Sequence, residues 1–440
     1  IVNNGSQTGF GRTGTVDWDT TPKTATFTAV SGNGYFCNTS GGVITVNLPA
    51  GVAGAIVSLA DYAATWQTSN VTVAPNGTDK IGSLNENANL DIEGQSVTFV
   101  YVDSTQGWIN TMDSTSNVRG AIPFIAATGG TITTVCTDYK VHTFTGPGTF
   151  TVTNAGTPAG STTVDYLVVA GGGGGGSGDG GGGGAGAGGF RESPGTASGS
   201  YTVSPLGAAP AVALPVSVQP YTVTVGAGGN GAGGAIPNPA AGTNGGVSTF
   251  STITSVGGGA GGNFGGGNPF TCAAGRNGGS GGGGSSRSDP VTNAAGGSGN
   301  TPPVSPPQGQ NGGSGHGNTG GGGGGAGGTG QNSPGCSQGG NGGVGAGTAI
   351  NPAVGTSGPN GALRYFAGGG GGNNETPGGA PNQGTGGYGG GAAGDVPGSN
   401  GNAGTVNTGG GGGGMDTNPT HPVATHNGGS GIVIIRYKFQ

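Results

Sequence analysis

Glycine fills the second half of this chain in uninterrupted blocks: residues 171–176, 180–184, 320–325, 368–372 and 409–414 contain nothing else. Fixing one backbone residue opposes folding by roughly 1–2 kcal/mol, and by more for glycine. The 116 glycines therefore set an entropic term well above ~100 kcal/mol against any compact state. Only a dense, repetitive arrangement can offset it. Each block is five or six residues long, which at about 3.1 Å per residue spans roughly 15–19 Å as an extended threefold helix, and such closely matched lengths predict a shared slab thickness. Such a helix makes no hydrogen bonds within itself. Without side chains it can exchange N–H···O and Cα–H···O contacts with neighbours on all sides. The blocks lack the strict Gly-X-Y period of collagen. The reading is a bundle of packed polyglycine II rods, with a flexible glycine linker as the other state that low-complexity glycine adopts.

The remaining composition points away from an ordinary enzyme. Charged residues are 6% of the chain, against about 25% in typical domains. The formal net charge of -6 gives no footprint for nucleic acid. No apolar run reaches the eighteen or so residues of a membrane helix, so no membrane insertion is expected, and the chain reads as soluble or externally assembled. It opens on Ile1, which leaves a removed leader open. Cys37, Cys136, Cys272 and Cys336 show no CxxC spacing, which argues against zinc. A bridge between Cys272 and Cys336 would pin two loops of the glycine region; free thiols are the alternative. Asn-x-Ser/Thr matches at Asn4, Asn38, Asn70, Asn76 and Asn374 are no more than a chain this rich in those residues produces.

Four segments are expected. Residues 1–23 form a polar arm with Ile1, Val2 and the large anchor Trp18, unable to fold alone. Residues 24–113 alternate with β-branched character, as in Ile44, Val46 and Leu48 or Val97, Phe99 and Tyr101, and read as a small β sandwich or barrel with Trp66 and Trp108 capping its core. A sugar-stacking role for those two tryptophans is the rival reading. Residues 114–160 form a linker and a β-hairpin across Gly146-Pro147-Gly148. Residues 161–440 form the glycine-rich domain. Its apolar strands 164–170 and 432–437 bracket the glycine and are expected to share one sheet with strands near Tyr221 and Phe250. The fold class is therefore all-β, a small N-terminal sandwich or barrel followed by a β-based glycine-rich domain.

VDYLVVAGGGGGG (164–176) and GGSGIVIIRY (428–437), bracketing glycine-rich loops, resemble the glycine-rich domain of bacteriophage virion and tail-fibre proteins. The stretch from Phe27 through NTSGGVITVNLPA to FVYVDSTQGW resembles a small β module of predicted phage tail proteins, and YKVHTFTGPGTFTV is similar to the segment that often precedes the glycine domain. The resemblance implies a structural or receptor-binding role in a virion fibre, with polyglycine II sandwiches displaying variable loops. The chain departs from the trimeric long-fibre pattern, since no sequence marks a coiled-coil stem, a β-helical shaft or an intramolecular protease region.

Chemistry is sparse. None of Lys23, Lys80, Lys140 and Lys438 follows a glycine, which removes the phosphate-binding P-loop. His421 and His426 share a loop with Asp416 but lack a further ligand, so neither a metal nor a cofactor is expected. No catalytic set emerges, and the chain reads as non-enzymatic. The expected function is a structural subunit of an extracellular or virion-associated filament, whose arm adds a strand to the next copy in a heterologous head-to-tail contact. Its partners are copies of itself and, at exposed loops carrying Arg191, Phe264, Phe270, Tyr365 and Tyr388, a host cell-surface glycan or protein. A fibre-tip adhesin and a bacterial surface appendage are the alternatives.

Overall fold

The computed structural model describes residues 16–114, 124–158, 160–178, 180–198, 201–207, 211–233, 241–265, 271–288, 291–335, 338–374, 382–395, 402–416 and 426–440. The chain divides into two compact units, Ile1–Gly120 and Ala121–Gln440. Both are built from strands, and among the described residues no helix is long and apolar enough to cross a membrane.

In the first unit the strands are β1 (Asp17–Lys23), β2 (Phe27–Thr28), β3 (Asn33–Cys37), β4 (Ile44–Asn47), β5 (Ile56–Asp61), β6 (Val71–Ala74), β7 (Ala88–Leu90), β8 (Ser96–Tyr101) and β9 (Trp108–Ser114). They form two sheets, ordered β1-β3-β5-β8-β9 and β2-β4-β6-β7. From β1 to β6 the chain steps from one sheet to the other at every strand. Neighbours within each sheet therefore run parallel, as in β1-β3, β3-β5, β2-β4 and β4-β6, because a parallel pair needs a crossover between its members. The inward residues of both sheets, among them Ile44, Val46, Leu48, Val57, Leu59, Val97 and Phe99, share one core with Trp66 and Trp108. Both tryptophans are wholly buried, so they are core side chains and stack on no ligand.

The polar arm is corrected in its second half. Residues 17–23 are an edge strand of their own sheet, with Trp18 opposite Gly34 and Asp19 opposite Tyr35. Ile1 and Val2 lie outside the described residues.

The second unit begins with β10 (Ile125–Thr128), β11 (Thr131–Val135), β12 (Tyr139–Phe144), β13 (Gly148–Ala155) and β14 (Thr163–Val169). It continues through β15 (Phe190–Glu192), β16 (Pro220–Thr224), β17 (Ser248–Phe250) and β18 (Ile253–Ser255), and ends with β19 (Ile432–Lys438). Strands β14 and β19 pair antiparallel, Val168 opposite Val433, as the bracketing motifs predict. Two expectations fail. The strands at Tyr221 and Phe250 are not in that sheet: β10-β13-β16-β17-β18 is one sheet and β11-β12-β19-β14-β15 another. The expected hairpin is an arch, for β12 pairs with β19 while β13 pairs with β10 and β16. An arch puts Phe144 and Phe150 into the single core between the sheets, with Val168, Tyr221, Phe250, Val433 and Ile435. The opposite face of β14 and β19, carrying Leu167, Val169, Ile432 and Ile434, packs on Ala187, Phe190, Ala326, Phe366 and Ala367. Burial on both faces explains why these two strands read as continuous apolar runs.

That second cluster is the base from which the glycine rods rise. Residues 171–176 continue β14 directly, and their hydrogen bonds repeat with the threefold period of polyglycine II. The N–H groups of Gly171 and Gly174 donate to Gly246 and Thr243, those of Gly172 and Gly175 to Gly429 and His426, and those of Gly173 and Gly176 to Gly186 and Gly183. Their carbonyls accept, in the same order of pairs, from Gly258 and Gly261, from Gly229 and Ala232, and from Gly412 and Met415. Six neighbouring segments surround one rod, and each of its backbone groups has a partner. Residues 320–325 show the same pattern, donating to 370 and 373, 281 and 284, and 328 and 331, and accepting from 184 and 187, 310 and 313, and 340 and 343. The register gives the direction: segments 229–232, 258–261 and 412–415 run with 171–176, and 183–186, 243–246 and 426–429 run against it. The packing admits no side chain at these positions, since a Cβ at Gly174 would fall 1.9 Å from the Asn230 carbonyl oxygen, and one at Gly370 2.0 Å from that of Gly412.

A lattice of rods has open edges, as a sheet does, and here asparagine closes them. The sequence Asn-Gly-Gly recurs at Asn244, Asn277, Asn311, Asn341 and Asn427. In each case the side-chain oxygen accepts a backbone N–H of an adjacent segment: from Ala260 at 3.0 Å, Ser298 at 2.7 Å, Gly299 at 2.8 Å, Thr385 at 2.8 Å and Gly231 at 2.9 Å respectively. The carboxamide stands in for the carbonyl of a missing rod. Asn341→Ala is expected to lower stability by about 1 kcal/mol, read from the denaturant midpoint, whereas Asn341→Asp, which keeps the acceptor, lowers it by less.

Candidate interaction surface

Because outgoing and returning rods alternate, the reversals between 176 and 183, 232 and 243, and 415 and 426 gather at the end of the bundle away from the sheet. Short ladders close the lattice there. Ser177–Gly178 pairs with Met415–Asp416, Phe264–Gly265 with Thr271–Cys272, and Ser286–Ser288 with Val291–Asn293. Segments rich in Asn, Pro and Ser connect these points in the sequence.

The proposed recognition residues separate. Phe264 sits at this end but is 2% exposed, with the Arg287 guanidinium 5.1 Å from its ring, and it seals the lattice rather than presenting a surface. Phe270 lies outside the described residues. Arg191 belongs to β15, opposite Val168, at the sheet end of the molecule's second unit, away from the reversals. Tyr365 and Tyr388 do come together, their ring centroids 6.3 Å apart. Tyr365 lies flat on bare backbone, where a Cβ at Gly358 or Gly347 would fall 2.3 or 2.8 Å from its ring. It borders a cleft of about 370 Å³ with Leu206, Gln310, Val344 and Leu363, and Tyr388 stands exposed beside it. The cleft offers aromatic and apolar contact, and its lining residues include no carboxylate, histidine, lysine or cysteine.

The loop histidines are likewise resolved. His426 is fully buried in the lattice, its Nδ1 3.0 Å from the Gly413 carbonyl and its Nε2 3.2 Å from Asp395 Oδ2. His421 and the Asp416 side chain lie outside the described residues, and among the described residues no group of His, Cys, Asp and Glu is arranged to hold a metal. Cys272 is placed at the far end, but Cys336 lies outside the described residues, and with it the expected bridge. Cys37 is a core side chain whose thiol burial pushes up to about 12, with the Asp61 charge acting in the same direction, so it is inert as a nucleophile. His142 is a core residue as well, between the Gly129 carbonyl at 2.7 Å and the Tyr437 hydroxyl at 3.1 Å.

The sequence reading missed a buried polar cluster on the base side of the second unit. Asp165, Glu192 and Arg436 are all buried. Asp165 accepts from the Ser193 hydroxyl at 2.8 Å and the Ser198 N–H at 2.8 Å. Glu192 accepts from the Ser204 N–H at 3.0 Å and the Thr348 hydroxyl. Arg436 stacks between Tyr139 and Tyr201, 4.6 and 5.0 Å from their rings, and donates to the Ile350 carbonyl at 3.3 Å. These bonds tie β14, β15 and β19 to the segment around Thr348. They read as structural. The only signal in sequence is three charges placed inside or beside apolar strands.

No curated protein matches the chain. A family model described as a glycine-rich domain matches residues 144–438. Its limits fall at the last residue of β12 and the last residue of β19, so the match takes in the rods together with the strands that bracket them. It covers more than half of the sequence, and the chain belongs to this family of glycine-rich domains.

Proposed function

We propose that the protein is a structural subunit of an extracellular or virion-associated filament of the tail-fibre kind. In this reading the glycine-rich unit is a rigid mount and the connections at its far end are what it displays. The observation that carries the reading is the saturated lattice: a rod whose every N–H and C=O is already bonded to its neighbours has nothing left with which to bind or transform a substrate, and it holds its ends in fixed positions. Copies join head to tail through the segment that precedes β1, by strand addition to an edge of the next copy's sheet. Since residues 17–23 serve their own sheet, the joining segment is confined to residues 1–15. Removing residues 1–15 is expected to give monomers in sedimentation and negative-stain microscopy while leaving both folded units intact. Filaments of unchanged length from the truncated chain would remove the arm from the proposal.

A receptor-binding adhesin at a fibre tip is the second reading, favoured by the gathering of the reversals at one end. Copy number separates the two, with many copies per particle for a shaft subunit and few for a tip.

A further inference from the structure

The first unit carries a groove that neither assembly nor display requires. Strand alternation turns Tyr35, Cys37, Leu59, Val97 and Phe99 into the sandwich core, so Trp18, Phe36, Ser58, Ser96 and Thr98 fall on the opposite face of the β1-β3-β5-β8-β9 sheet. That face is concave. A hollow of about 500 Å³ is lined by Trp18 along one side, Met112 and Asp113 along the other, and Ser58, Ser96 and Thr98 on its floor. Its size falls in the range of ligand pockets, roughly 300–1,000 Å³.

Each part of the hollow has a definite chemistry. Trp18 is 43% exposed although its ring is fixed. It lies over Gly34, where a Cβ would come within 2.7 Å of its Cδ2, and against Phe36 at a centroid distance of 4.9 Å. The glycine lets the indole lie close to the strand and offer its outer face as a platform. The Ser58 and Thr98 hydroxyls are recessed and bonded to each other at 2.7 Å, and each retains further hydrogen-bonding capacity. The Asp113 carboxylate is held by Gln95 Nε2 at 3.1 Å through one oxygen. Among the described residues no lysine or arginine lines the hollow.

We propose that this groove binds a neutral saccharide chain. The apolar face of a pyranose ring stacks on Trp18, its hydroxyls donate to Asp113, and they exchange hydrogen bonds with Ser96, Thr98 and Thr111. A carboxylate without a cation disfavours acidic glycans and nucleic acid. The Ser58–Thr98 bond uses only one of the two hydroxyl protons, and a purely apolar partner would offer the other no acceptor. An added peptide strand needs an edge, and the floor strands β5 and β8 are already paired on both sides.

The test uses intrinsic fluorescence of the full chain, because Trp18 lines the hollow while Trp66 and Trp108 are fully buried, and the comparison with Trp18→Ala assigns the response to Trp18. Titration is made with cellohexaose, maltohexaose, chitohexaose and mannohexaose, with heparin fragments as the anionic comparison. At least one neutral oligosaccharide should give a saturable change in emission that disappears in Trp18→Ala. Trp18→Phe should weaken binding by about tenfold and Asp113→Asn by a similar factor, with the circular dichroism of the folded chain unchanged at the binding temperature. The proposal is overturned if no neutral oligosaccharide changes the emission, if the response persists in Trp18→Ala, or if heparin fragments compete as well as the neutral sugars.

Discussion

Gly174→Ala is expected to destabilise the glycine-rich unit by more than about 3 kcal/mol, combining an overpacking penalty of roughly 1–3 kcal/mol with the hydrogen bonds lost as neighbouring rods are pushed aside. The new Cβ would lie 1.9 Å from the Asn230 oxygen and 2.2 Å from its carbonyl carbon, distances that no rotamer can relieve because both atoms are backbone. Relief requires moving a rod, and each rod is bonded to others around it. Gly370→Ala meets the Gly412 oxygen at 2.0 Å and should behave alike. Gly361→Ala is the comparison, since nothing lies within 4 Å of its Cβ position. There, alanine should be neutral or stabilising by up to about 1 kcal/mol through the unfolded chain. Calorimetry or denaturant unfolding of the three variants decides the matter. Equal midpoints for Gly174→Ala and Gly361→Ala would mean that the rods are loose enough to accept a methyl group, and the lattice would lose its standing as a rigid mount.

What could be read in advance follows from what each pattern encodes. Glycine blocks of closely matched length specify a rod and its length, and the bracketing strands specify a sheet, because a run buried on both faces has no other use. Alternation in 141–152 says only that Phe144, Phe150 and Val152 face a core. A hairpin and an arch satisfy that equally, and only the partners of β12 and β13 separate them. The segment DWDTTPK (residues 17–23) has no apolar period at all. It is a strand because Trp18 covers Gly34 and the backbone of β3 offers a parallel partner, neither of which is local information. The Asn-Gly-Gly triplets were in plain sight, but Asn-Gly ordinarily marks a turn. Their use as edge caps exists only once a neighbouring rod supplies the N–H. Of the candidate recognition residues, Tyr365 and Tyr388 meet while Phe264 is sealed under Arg287, a difference fixed by which side of the lattice each segment leaves.

Glu192 gives the second large effect, through pH. It is 2% exposed, and burial raises its carboxyl from the ordinary 4.5 to about 7, opposed by the bonds from Ser204 and Thr348 and reinforced by the Asp165 charge. Between pH 4.5 and 7 the folded chain therefore keeps a proton that the unfolded chain has released. Stability from this group is full below about pH 4.5 and is lost as pH rises to about 7. The loss amounts to about 3 kcal/mol over the window, at 1.36 kcal/mol for each unit. Glu192→Gln imitates the protonated carboxyl: its oxygen can accept the Ser204 N–H while its amide donates to the Thr348 hydroxyl, which turns to the Thr202 carbonyl at 3.5 Å. The variant should match the parent near pH 4.5 and exceed it by about 3 kcal/mol at pH 8. His142 works in the opposite sense. Burial lowers its affinity for a proton, outweighing the bond to the Gly129 carbonyl, with the Lys140 charge adding to the lowering. The folded chain thus loses stability as pH falls through the ordinary histidine range of about 6.5. That contribution is common to parent and variant, so the difference between their unfolding free energies at each pH isolates Glu192. A difference that stays constant from pH 4.5 to 8 would show that the carboxylate is already ionised in the fold and compensated there, with Arg436 as the cation in reach of the cluster.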